Sequence, residues 1–288
     1  MKLNLVPART GVEWVRLGLK NFWRQPLAFV SLFLMFMALI STISQLPLIG
    51  KFLPFVLLPF STLGFMVAAS VADASGGNGN NNGTSTGTDF PADTTGGLKR
   101  PTGAIMFLSV ARAMRTEWRS LAVLGVISAV YCFLTVFLTA LVDGGQFMRS
   151  YFLGEAPAKE VLESSRFQMA NLLQMCLALP LVAAMWHAPA LVHWHRVEPV
   201  KSIFFSLVAM FRNFGAYALY WLAWCGVLLL GLLAAALVGT IVIGVGSLGS
   251  GTGAMTAGNI LMLGTVMTLA AMAQASNWFT FRDTFNPD

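Results

Sequence analysis

Apolar residues run without a single Asp, Glu, Lys or Arg through six stretches, at roughly residues 25–46, 52–72, 120–142, 167–192, 213–241 and 254–281. A helix needs about 20 residues to cross a hydrocarbon core about 30 Å thick, so each stretch predicts a transmembrane helix. The pattern predicts an all-α membrane protein of six spans. Uncharged spans also lack the ionisable groups that mark proton or ion pathways in the membrane.

Ahead of spans one, three and five the pattern changes to an apolar face opposed by a charged one at helical spacing. In residues 9–24, Val12, Val15, Leu19 and Phe22 oppose Glu13, Arg16, Lys20 and Arg24. In 103–118, Ile105, Leu108, Ala111, Met114 and Trp118 oppose Arg112, Arg115 and Arg119, and 199–211 carries Val200, Ile203, Phe204, Leu207 and Phe211 behind a helix-starting Pro199. These segments are expected to lie in the membrane plane. They lead into Trp23-Arg24-Gln25, Trp118-Arg119-Ser120 and Phe211-Arg212-Asn213, triplets 95 and 93 residues apart. Each sets an aromatic ring at the head-group level and an arginine that snorkels to phosphate. The chain therefore reads as three helix hairpins, each preceded by an amphipathic interfacial helix, within one membrane domain over residues 1–288.

The 74–98 segment interrupts this plan. Its Gly, Asn, Ser and Thr, with Phe90 as sole aromatic, bury too little surface to order themselves and predict a flexible linker. Residues 143–166, with Glu155, Lys159, Glu160 and Glu163, suit a short surface helix, and the uncharged 242–253 segment a simple turn.

Composition agrees: 56% of residues are hydrophobic and 10% charged, with a mean hydropathy of +0.70. The net charge of +6 forms no free basic groove, because Lys and Arg gather beside span ends, so nucleic acid is not an expected partner. Anionic lipid head groups are. Placing the connections on alternate sides puts 14 of the 18 Lys and Arg with the termini and leaves Lys51, Arg149, Lys159 and Arg166 opposite. The positive-inside rule then makes both termini cytoplasmic. The first apolar run is too long for a signal core and lacks a cleavage site, so it is expected to be retained.

Little in the chain carries catalytic chemistry. Gly244-Val-Gly-Ser-Leu-Gly249 matches a dinucleotide fingerprint by letter, but it follows a run of transmembrane length and no acid stands about 20 residues on. His187, His193 and His195 cluster at the end of span four; their spacing of six and eight residues does not share one helix face unless Pro189 bends the helix. They remain weak candidates for a metal or haem site. Gly231, Ala235 and Gly239 form a small-residue stripe for helix packing. Pro59, Pro180 and Pro189 interrupt spans two and four, while Asn171, Gln174, Asn259, Gln274 and Asn277 are expected to hydrogen-bond between helices. Cys132, Cys176 and Cys225 read as small buried hydrophobes. No nucleophile, base and acid converge within the membrane, so no enzyme and no cofactor are expected.

The opening Met1-Lys-Leu-Asn-Leu-Val-Pro-Ala-Arg9, Trp14-Val-Arg16 and Phe22-Trp-Arg-Gln-Pro26 resemble an uncharacterised family of proteobacterial multi-pass inner-membrane proteins. So do the Trp186–His195 run with Pro199-Val-Lys-Ser-Ile-Phe-Phe-Ser206, and the closing Phe279-Thr-Phe-Arg-Asp283. The resemblance covers nearly the whole chain. It implies a bacterial inner-membrane location and supplies no catalytic residues. The expected role is a non-enzymatic organiser acting on lipids, a membrane partner or a second copy. The alternatives are a neutral small-molecule or lipid transporter with a path at spans two and four, and a haem or metal carrier using His187, His193 and His195.

Overall fold

Helix boundaries fall where the sequence removes or redirects a backbone donor. In the computed structural model, which describes residues 2–46, 49–77, 103–154, 156–246 and 251–285, helix α1 (Thr10–Phe22) ends just before Pro26 opens α2 (Pro26–Ser44). Proline has no N–H to offer and disfavours helical geometry in the residue before it. Helix α3 follows at Leu53–Gly77, α4 at Gly103–Asp143, α5 at Gln146–Leu153, α6 at Lys159–Glu163 and α7 at Ser165–His195. The last three are α8 (Pro199–Arg212), α9 (Phe214–Gly246) and α10 (Gly251–Thr284). No strand occurs among the described residues. Helices α2, α3, α4, α7, α9 and α10 are long and apolar enough to cross a membrane, giving the six spans.

The second hairpin differs from its siblings. Trp118-Arg119-Ser120 contains no breaker, so the amphipathic segment continues into its span as one 41-residue helix, roughly 60 Å at 1.5 Å per residue. Residues 74–77 complete α3 rather than starting the linker, and the remainder of the 74–98 segment lies outside the described residues. Helix α9 likewise runs on to Gly246, while residues 247–250 of the expected outer turn and of the Gly-rich motif lie outside. In the 143–166 connection, α5 precedes the expected charged helix: Asp143 accepts from the N–H groups of Gly145 (2.8 Å) and Phe147 (2.6 Å) and starts it, with Gly144 and Gly145 left-handed.

The chain forms two compact units, each assembled from separate segments. The first comprises Met1–Met35, Phe65–Val110 and Arg212–Asp288. Within it α1 packs on α9 and α10, with Trp14, Val15 and Phe22 buried. Of the expected apolar face of Val12, Val15, Leu19 and Phe22, Val15 and Phe22 are thus buried, and Val12 is not. Val12 is 52% exposed, and the inward stripe is Gly11, Trp14, Gly18 and Asn21. A Cβ on Gly11 would collide with the Ala216 carbonyl, and one on Gly18 with Ser276, so the two glycines let the α1 backbone lie directly on its neighbours. The N-terminal segment is tied down too. The side-chain amide of Asn213 accepts from Val6 N–H (2.9 Å) and donates to Asn4 C=O (3.1 Å), and Asn4 N–H donates to Thr284 C=O (2.9 Å).

The Asn213→Ala variant is expected to release residues 2–9, with a local cost of about 1–2 kcal/mol for two lost hydrogen bonds at a buried position. Limited trypsinolysis in detergent reads it as faster cleavage after Arg9; an unchanged rate would contradict the tie.

The second unit comprises Phe36–Gly64 and Ala111–Phe211. Its core gathers Leu124, Met185, Ala188 and Val192, with Leu58, Ile127, Leu181 and Ile203 packed on them. Gly125 lets α4 meet the Val56 carbonyl of α3, where a Cβ has no room. Helix α8 buries its small face, Ser202, Ser206 and Ala209, and leaves Val200, Phe204 and Phe211 exposed, as an interfacial helix with an apolar side in lipid does.

Candidate functional site

In a chain with only 12 acidic residues, those that enter a helix bundle mark its polar centres. In the first unit the centre is Asp73, near the C-terminal end of α3. Its carboxylate receives Arg282 Nη1 at 3.1 Å and Trp278 Nε1 at 3.2 Å, with Arg24 Nη1 at 3.7 Å. Arg282 also holds Asp283 at 2.9 Å, and Asp283 accepts from the indole of Trp14 at 2.9 Å. Helices α1, α3 and α10 thus share one charge network, while Asn21 of α1 donates to the Ala69 carbonyl of α3 (2.9 Å). Below it Tyr220 contacts Ser276 at 2.6 Å and donates to Asn277 at 3.0 Å, Trp224 donates to Ser276 at 3.2 Å, and the Trp14 ring lies 5.3 Å from Tyr217.

The centre of the second unit is Glu117, on the amphipathic part of α4. Its carboxylate is buried and paired with Arg196, the left-handed residue that ends α7 at φ 53°. His193 Nδ1 stands 3.8 Å from the same oxygen. About two to three turns earlier in α7, the Ser206 Oγ of α8 donates to the Ala183 carbonyl (2.7 Å) and accepts from His187 N–H (3.0 Å). The serine hydroxyl therefore bridges an i, i−4 backbone pair, an insertion of the kind that bends a helix.

These positions revise several expectations. Arg24 turns to Asp73 and the Ala72 carbonyl (3.3 Å) rather than outward, whereas Trp23, Trp118, Phe211, Arg119 and Arg212 are exposed. His187 is fully buried and His193 and His195 are partly buried; among the described residues no three His, Cys, Asp or Glu side chains converge on a metal position. Gly231 meets Leu269 of α10 and Ala235 is buried, but Gly239 faces open space, so the packing stripe is two residues long. Gln174 donates to Thr135 (3.3 Å) and Asn277 to Gln274 (3.0 Å), while Asn171 and Asn259 are exposed. Cys132 is buried; Cys176 and Cys225 lie on the outer surface of their helices. Asp73, Glu117 and Asp283 were not singled out from the sequence. Their signal was present: each acid sits in or beside an apolar helix, where an unpaired carboxylate costs several kcal/mol.

The chain is 32% identical over 289 residues, 99% of its own length and 94% of the other's, to a Burkholderia thailandensis protein titled "Probable inner membrane protein". It belongs to that family of inner-membrane proteins. No protein-family model and no solved structure matches it. The six apolar helices agree with that membership, and Asp73 and Glu117 centre the polar clusters described above.

Proposed function

We propose that the protein is a non-enzymatic organiser of the inner membrane, with both termini in the cytoplasm, that holds anionic head groups or a membrane partner on an arginine face. One observation carries the reading. Arg112, Arg115 and Arg119 are exposed at i, i+3 and i+7 of α4, while Glu117, the acid among them, is turned inward and committed to Arg196. The row keeps its full positive charge. Trp118 beside it is 55% exposed, with the Arg119 guanidinium 5.5 Å from its ring centroid, an arrangement suited to the head-group layer.

Near an anionic surface each Lys or Arg contributes about 1 kcal/mol, so three arginines supply roughly 3 kcal/mol. Replacing Arg112, Arg115 and Arg119 by glutamine is expected to strip most co-purifying anionic lipid or partner protein, measured by mass spectrometry of the protein extracted in mild detergent. A C-terminal fluorescent-protein fusion tests the orientation and guards against inversion of the variant. Unchanged co-purification, a dark C-terminal fusion in wild type, or substrate flux through reconstituted vesicles would overturn the proposal.

A further inference from the structure

Beyond that reading, the second unit carries an open cavity beside the connection between α2 and α3. It has a volume of about 420 Å3 and is lined by Ser44, Lys51, Phe147, Ser150, Tyr151 and Phe167. Its position is built. Gly50 folds against the Ile43 carbonyl, where a side chain has no room, and the Tyr151 hydroxyl donates to the Lys51 carbonyl at 3.3 Å. The next residue, Phe52, is wedged between Phe133 and Phe152, with ring centroids 5.6 and 4.9 Å away. The backbone that carries Lys51 is therefore fixed from three sides.

The charge balance of the cavity favours an anion. Asp143, the acid that leads into α5, spends both carboxylate oxygens on the backbone of Gly145 and Phe147. Among the described residues Lys51 forms no ion pair and the Ser150 hydroxyl no hydrogen bond. The Tyr151 phenol is neutral at physiological pH and does not repel an anion. Phe147 and Phe167 supply apolar sides, and the exposed Met148 and Leu153 put α5 at the lipid boundary. A lysine ammonium with a hydroxyl donor beside it suits the point-charge recognition of phosphate.

We propose that this cavity binds a phosphate group, carried by an anionic glycerophospholipid or free in solution, with Lys51 as its charge partner and Ser150 as a hydrogen-bond donor. The full-length protein in mild detergent is offered phosphatidylglycerol, phosphatidylcholine with the same chains, or inorganic phosphate; native mass spectrometry reads the lipids and titration calorimetry the phosphate. Wild type is expected to prefer phosphatidylglycerol to phosphatidylcholine or to bind phosphate. Lys51→Ala and the near-isosteric Lys51→Gln are expected to weaken that binding about tenfold, the effect of one charge-assisted hydrogen bond. Lys51→Arg should keep it, as should Lys159→Ala, which removes a charge on the same membrane face outside the cavity. Phosphatidylglycerol preference without phosphate binding assigns the site to lipid, and phosphate binding without lipid preference assigns it to a soluble ligand. No phosphate binding together with equal retention of both lipids overturns the proposal, as does wild-type affinity in both Lys51→Ala and Lys51→Gln. The Arg112, Arg115 and Arg119 variant is expected to keep Lys51-dependent binding, so this site and the arginine face fail separately.

Discussion

Alanine at both Gly11 and Gly18 is expected to undock α1 and lower the thermal midpoint of the detergent-solubilised protein, although alanine is the better helix former. Propensity alone would stabilise each site by about 0.5–1 kcal/mol. Against that, the new methyl at Gly11 meets the Ala216 carbonyl and lies 2.7 Å from Tyr220 N, and the one at Gly18 lies 2.7 Å from Ser276 Cα. These obstacles are backbone atoms, which do not swing aside as a side chain does, so the overpacking cost of roughly 1–3 kcal/mol per site prevails. Gly226 and Gly264, also within helices, have nothing within 4 Å of the position a Cβ would take. Their alanine variants are expected to melt at or above wild type. Equal behaviour of the two pairs would refute direct backbone contact by α1.

The second large effect is expected from Asp73→Asn. The carboxylate is the counter-charge for Arg24 and Arg282 and accepts from Trp278, so its loss leaves two guanidinium groups facing a neutral amide. Breaking a fully buried pair costs about 3–5 kcal/mol, but Asp73 is 28% exposed and Arg282 33%, and water there screens part of the loss. Roughly 1–3 kcal/mol remains. A double-mutant cycle with Arg282→Gln should show coupling, since the two residues share one interaction. As a contrast, Glu198→Gln removes an exposed i, i+3 partner of Lys201 and is expected to leave the melting curve unchanged. Additive losses at Asp73 and Arg282 would mean the network holds nothing together.

Spans were legible because each is an uncharged run of sufficient length, a property of composition that needs no knowledge of neighbours. Partners were not. The 3.6-residue period marked α1 as two-faced, yet the docked face is set by Gly11 and Gly18, whose contribution is the absence of a side chain and which no hydrophobic pattern scores. Arg24 and Arg119 occupy equivalent places in their triplets, but among the described residues Arg24 meets a carboxylate and Arg119 does not, because Asp73 returns on the second span of the first hairpin. The continuity of α4 could have been read, since Leu121 stands where Pro26 follows the first triplet, and Ser120 where Asn213 separates α8 from α9. As for the polar centres, acids at 73, 117 and 283 in apolar surroundings announce that pairing is required, without naming the arginine that supplies it.

The tie between Asn4 and Thr284 has a temporal side. A ribosome adding about 5–20 residues per second needs roughly 15–50 s to reach the end of α10 after completing α1. During that interval the glycine edge of α1 has no complete groove to enter, because α9 is made late and α10 after it. Docking of α1 therefore waits for α9 and α10 to be made, and a chain cut short before α10 would leave that edge open to chaperones and membrane proteases.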